Sequence, residues 1–319
     1  MRLPLVAALL APLPAWAEPP AVVTDIAPVH SLVSQVMAGV AEPTLLLDGV
    51  ADPHSVSLRP SQARALENAD LVIWVGDALT PWLGRALADL SGAETIALLD
   101  HPATTLRDFV QVAPEPHEAN EDDHLDTHAH DDDHDDDHDD PHAHGDDGVD
   151  PHAWLSPDNA RGWLGALAEA LAARDPENAE RYTANAEAAI VDLTRLDARI
   201  EAQLEPFAGT EIVTLHDAFG YFADTYRLEV AGSVKAGDGA APSAAAVDAL
   251  QDIVAEHAVS CAFSEPGADT GLLDTIAGET GLRIGVLDMT GVTLTPGPEL
   301  YGRMMADLAD SVETCLTAD

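Results

Sequence analysis

The chain is short of positive charge: 14 Lys+Arg stand against 57 Asp+Glu, a formal net charge of -43 over 319 residues. Phosphate binding needs clustered basic side chains, so a nucleic-acid partner is excluded. Long apolar runs are also scarce. Beyond the N-terminus no stretch approaches the ~20 residues that a membrane helix requires. Cysteine is nearly absent, and the two present, Cys261 and Cys315, fit an oxidising compartment where an even count favours one disulfide. Such a bridge closes a loop of roughly 54 residues and stabilises by roughly 4 kcal/mol on the chain-entropy model; two buried free thiols are the alternative. The length suggests about two domains.

The N-terminus itself, "MRLPLVAALLAPLPAWA", carries basic Arg2, an apolar run through Leu13 and the small-x-small ending Ala15-Trp16-Ala17. That is the build of a secretory signal over residues 1–17, cleaved before Glu18. It is too short to span a bilayer. No cysteine stands at the cleavage point, so the expected mature protein is exported, soluble and without a lipid anchor.

Short apolar, β-branched runs ("AVVTDIAPV", "PTLLLD", "ADLVIWVG", "ETIALLD") alternate with helix-like segments from residue 18 onward. A second series ("EIVTLHD", "LEVAGSV", "VSCAFSEP", "RIGVLD") follows an acidic stretch. The fold class this predicts is two mostly parallel-sheet α/β lobes. After Asp175 and Pro176, the apolar positions Ile190, Leu193, Leu196, Ile200 and Leu204 recur every three or four residues. A rigid linker helix over 176–205, on the order of 45 Å long, is expected between an N-terminal lobe, 18–175, and a C-terminal lobe, 206–319. The other possibility is an ordinary helix of the first lobe.

The 14 histidines fall into two populations. Eight of them (His117, His124, His128, His130, His134, His138, His142 and His144) lie in the stretch Pro114 to Asp150, which holds 17 Asp/Glu and no Lys or Arg. With so little apolar surface to offset ordering entropy, a disordered His/Asp-rich loop is expected over 115–148. Its imidazoles offer accessory metal ligands of low affinity, since nothing preorganises them, or the loop is a solvated tether with no metal role.

Three other histidines stand apart. His54 in "ADPHSVSLRPSQA", His152 in "DPHAWLSPDNA" and His216 in "IVTLHDAFGYF" all occupy loops near strand ends, where open α/β sheets bind ligands. Two of them share the pattern Asp-Pro-His, in which proline stiffens the approach and a carboxylate lies nearby. Three imidazoles from different loops suit a borderline-soft ion, and an enclosed site favours tetrahedral Zn2+. His30, His101 and His257 read as structural or surface residues. A catalytic zinc, with Asp217 or Glu265 as general base, is the competing class; no HExxH-type motif supports it.

The stretches "DPHSVSLRPSQARALENADLVIWVG", "DPHAWLSP", "LHDAFGYFADTYRL", "CAFSEP" and "VLDMTGVTLTPGPELYGRMMADLADSVETCL" resemble the zinc-binding ZnuA type among the metal-binding solute-binding proteins of ABC transporters. They cover nearly the whole mature chain in order, and a His/Asp-rich loop just before "DPHAWLSP" is also a feature of that type. The resemblance implies a monomeric periplasmic protein that holds Zn2+ in a cleft between its lobes. It would deliver the ion to an inner-membrane ABC permease with a cytoplasmic ATPase, with a periplasmic zinc chaperone as a further partner. It carries His54, His152 and His216 over as ligands. The glutamate that some zinc members place before the first histidine is Pro53 here, so the fourth place falls to water or to Asp288. A manganese-type binder and a stand-alone zinc buffer are the neighbouring alternatives; three imidazoles favour zinc over the harder Mn2+.

Overall fold

A buried parallel strand has helices on both faces and therefore reads as a short unbroken apolar run, which is how both halves of this chain begin. The computed structural model describes residues 18–49, 53–54, 56–109, 148–235 and 244–318. The expected signal segment and the His/Asp-rich stretch, apart from Gly148, lie outside these residues.

In the N-terminal half β1 (Val22–Thr24), β2 (Thr44–Leu45), β3 (Leu71–Trp74) and β4 (Glu94–Ala97) alternate with α1 (Ala27–Val36), α2 (Pro60–Glu67) and α3 (Pro81–Leu90). Pro60 and Pro81 each take the first helical position, where no N–H is needed. The strands pair in parallel in the order β2-β1-β3-β4, with Val22 opposite Leu71 and Val72 opposite Thr95. β2 is shorter than the run "PTLLLD" suggests. Its last residues nevertheless stay bound to the sheet, because the N–H groups of Leu46 and Leu47 donate to the carbonyls of Thr24 and Asp25.

Next come α4 (Pro157–Arg174), whose N-cap Ser156 accepts from the Asn159 N–H, and the long α5 (Ala179–Leu204). The first turn after Asp175 is 3₁₀, so α5 starts at Ala179, and a second 3₁₀ turn, Glu205–Phe207, ends it. Asp175 anchors that start by accepting from Asn178 Nδ2 and from the Tyr182 hydroxyl. In the C-terminal half, β5 (Glu211–His216), β6 (Glu229–Lys235), β7 (Cys261–Ser264) and β8 (Arg283–Val286) alternate with α6 (Gly220–Tyr226), α7 (Ala244–Glu256) and α8 (Gly271–Thr280). Helix α9 (Leu300–Thr317) closes the chain.

The second sheet, β6-β5-β7-β8, is parallel and repeats the order of the first. In each, the chain leaves its first strand to one side and later returns to the other. A crevice therefore opens at the carboxyl ends, between β1 and β3 in one half and between β5 and β7 in the other.

Two helices tie the halves together. The buried side of α5 is a stripe of Tyr182, Ala186, Ala189, Leu193, Leu196, Ile200 and Leu204, spaced three or four residues apart. α9 packs against β8 and α5 and also against α1, where Ser31 Oγ donates to the Pro298 carbonyl and accepts from the Tyr301 N–H. One apolar core consequently runs without a break from the first sheet through α5 and α9 to β7. A smaller one fills the far side of the second sheet, around Val213, Leu250 and Ile276. Cys261 and Cys315 form a disulfide between β7 and α9, with a Cα–Cα distance of 6.1 Å.

Candidate metal centre

His216 is the last residue of β5 and Glu265 directly follows β7, so the crevice of the second sheet places both at its mouth. There His216 Nδ1 lies 3.1 Å from Glu265 Oε1. A carboxylate can only accept, so Nδ1 carries the proton and Nε2 carries the lone pair. His152 has the same kind of partner. Its Nδ1 and its backbone N–H, at 2.7 and 3.0 Å, both bond Asp150 Oδ1. The Asp-Pro-His spacing achieves this by folding the carboxylate back onto the residue two positions on, and Asp150 is fully buried.

His54 follows Pro53, whose carbonyl accepts from Trp82 Nε1 at 2.7 Å. The three imidazoles converge. One ligand nitrogen from each of His54, His152 and His216 lies within 4.8 Å of the other two. Ring centroids are 6.1 Å apart for His54 and His152, 6.2 Å for His54 and His216, and 5.2 Å for His152 and His216. The rings stand roughly edge to face and are not stacked. Donors that share one ion at the ~2.0 Å Zn–N distance lie less than ~4 Å apart, so three nitrogens within 4.8 Å are at or near the spacing of a metal site.

The remaining candidates are divided between the neighbourhood of the cluster and other places. Asp288 is outside the group, and its two oxygens accept from the Val292 N–H, the Thr293 N–H and the Thr293 hydroxyl, which closes the turn after β8. Asp217 is close by: burial first, then the Asp150 charge, raise its carboxyl above the ordinary value, against the pull of Arg107 and the two neighbouring histidines. His30 Nε2 is bonded to the Pro43 carbonyl, His101 Nδ1 accepts from the Ala103 N–H, and His257 pairs with Glu211. His117, His124, His128, His130, His134, His138, His142 and His144 lie outside the described residues.

His152 belongs less to the first half than its sequence position suggests. Trp154 Nε1 donates to the Met289 carbonyl, the Tyr301 hydroxyl donates to the Trp154 carbonyl, and the Tyr221 hydroxyl donates to the Asp150 carbonyl. All three partners follow α5, so the segment Asp150–Trp154 is fastened to the half that carries His216. Sequence reading missed these tethers because each joins residues more than 70 positions apart.

Two parallel α/β halves bridged by a long helix are the fold of the metal-ion solute-binding proteins. A ZnuA crystal structure superposes with a TM-score of 0.71 at 21% identity, covering 93% of this chain and 99% of that one. The solute-binding protein FpvC of Pseudomonas aeruginosa, with Ni2+, gives 0.72 at 21% identity, covering 94% and 98%. The sequence is closer still to curated relatives. The high-affinity zinc uptake system protein ZnuA of Paracoccus denitrificans is 45% identical over 311 residues, 97% of this chain and 95% of that protein. That of Brucella suis is 34% identical over 305 residues, covering 93% and 91%. Residues 22–315 match the family model described as "Zinc-uptake complex component A periplasmic", and the chain belongs to that family.

Proposed function

We propose that this protein captures Zn2+ in the periplasm through His54, His152 and His216 and delivers it to an ABC permease driven by a cytoplasmic ATPase. The observation that carries the assignment is the convergence of three imidazole nitrogens, from three separate segments, within 4.8 Å. Asp150 and Glu265 support it by holding Nδ1 of two rings, which presents Nε2 to the ion and raises its basicity. Asp288 already accepts three hydrogen bonds within its own turn, and water is assigned the fourth place of the tetrahedron. Capture and release make and break only coordination bonds, and the protein acts as a monomeric carrier, not as an enzyme. A periplasmic chaperone is a further candidate source of the metal.

The test is a competitive Zn2+ titration of the mature protein against a strong chelator, run with and without residues 115–147. One tight equivalent in both forms is expected. Loss of tight binding on deletion would transfer the receptor to the His/Asp-rich stretch and leave the three-histidine cluster without its role.

A further inference from the structure

Asp150 uses one oxygen on His152, and its other oxygen needs a partner of its own because the side chain is fully buried. Arg107 supplies it. Nη1 lies 3.3 Å from Asp150 Oδ2, while Nε of the same guanidinium lies 2.8 Å from Asp224 Oδ2 on α6. The backbone repeats the connection: the Arg107 N–H donates to the Tyr221 hydroxyl, and the Asp150 N–H donates to the Arg107 carbonyl. A planar guanidinium can hold two carboxylates at once along different edges, in a fixed geometry that an ammonium on a flexible stem does not impose.

Gly220, the first residue of α6, makes room for this arrangement. A Cβ there would lie 2.2 Å from Arg107 Cζ and 2.2 Å from Nη1. The glycine is thus explained by the arginine, since its own backbone needs no positive φ.

We infer that Arg107 is a positioning residue of the metal site: by bridging Asp150 to α6 it fixes the orientation of His152 relative to His216. This rests on the three-histidine assignment above. Without Arg107, Asp150 is a buried carboxylate facing Asp217 with no counter-charge, and the carboxyl group that aims the imidazole is no longer held. Removing such an outer partner typically lowers metal affinity by about 10–100-fold.

The experiment measures Zn2+ affinity by chelator competition in mature full-length protein. The variants are Arg107→Gln, Arg107→Lys, Gly220→Ala and His152→Ala, with each of the first three also combined with His152→Ala. Visible absorption of the Co2+-loaded forms reports ligand geometry. Arg107→Gln and Gly220→Ala are expected to lose about 10–100-fold and to alter the Co2+ bands, Arg107→Lys to lose less, and none to lose more once His152 is alanine. Wild-type affinity in Arg107→Gln, or an equal loss in both backgrounds, would overturn the inference by showing no action through His152. Should Arg107→Gln fail to fold, Gly220→Ala decides by the same two comparisons. If wild-type protein itself holds no tight zinc, or keeps it after His54→Ala and His216→Ala, the metal assignment fails, and the role of Arg107 falls with it.

Discussion

Each of the three histidines approaches the cluster from a differently braced segment, and the bracing sets what its loss should do. His54→Ala, His152→Ala and His216→Ala should each weaken zinc binding by orders of magnitude in a chelator competition, whereas His134→Ala should leave the tight site unchanged. Equal losses at all four positions would contradict the three-histidine site. Glu265→Gln keeps an oxygen that can accept from His216 Nδ1 but removes the charge that makes the imidazole more basic. A loss of about 10-fold, at the mild end for such partners, is expected. The Asp-Pro-His pattern made Asp150 legible beside His152. Glu265 had no such signal beside His216, because 49 residues separate them and only the pairing of β5 with β7 brings them together.

Among the elements, the first sheet contains the clearest titration. Asp25 follows β1 at the crevice and accepts from the Ile26 and Val75 N–H groups, both at 2.8 Å. Burial nevertheless outweighs those bonds and pushes its carboxyl up to about 6. A raised carboxyl pKa means that the folded chain binds the proton more tightly than the unfolded one. The stabilisation from protonation is complete below pH ~4 and is lost as pH rises to about 6, amounting to about 3 kcal/mol. Urea unfolding of the metal-free protein at pH 4.5 and 7 should therefore show a fall in stability that shrinks in Asp25→Asn. An undiminished fall would assign the pH dependence to the general excess of negative charge. In the second half, reducing the Cys261–Cys315 disulfide frees a loop between β7 and α9. It should cost about 2–5 kcal/mol, measured as a lower urea midpoint. The strand-helix alternation behind these elements was readable from the short β-branched runs. The shortness of β2 was not, since the sheet ends where its neighbour turns away.

At the scale of the whole molecule, the unbroken core through α5 and α9 decides how the protein responds to its ligand. Two lobes sharing one apolar interior cannot swing apart without exposing it, so zinc binding should change the radius of gyration by less than about 1 Å in solution scattering. A larger compaction would show that the halves hinge. Binding to the folded chain alone should still stabilise it, by about 4 kcal/mol at a free zinc concentration 1,000 times Kd. Thermal unfolding with and without zinc measures this, and the increment should vanish in His216→Ala.

The amino-acid sequence by itself determined the class of fold, that one disulfide is favoured by an even cysteine count, and which residue types are able to hold a borderline-soft metal ion. These depend on local periodicity, on composition and on the identity of the side chains. Only the tertiary structure decided how closely His54, His152 and His216 converge, that Asp288 accepts three hydrogen bonds inside its own turn, and that Arg107 stands behind Asp150. Such relations come from which strands lie beside each other and from helices that bind the two halves into one core. No spacing along the chain encodes them.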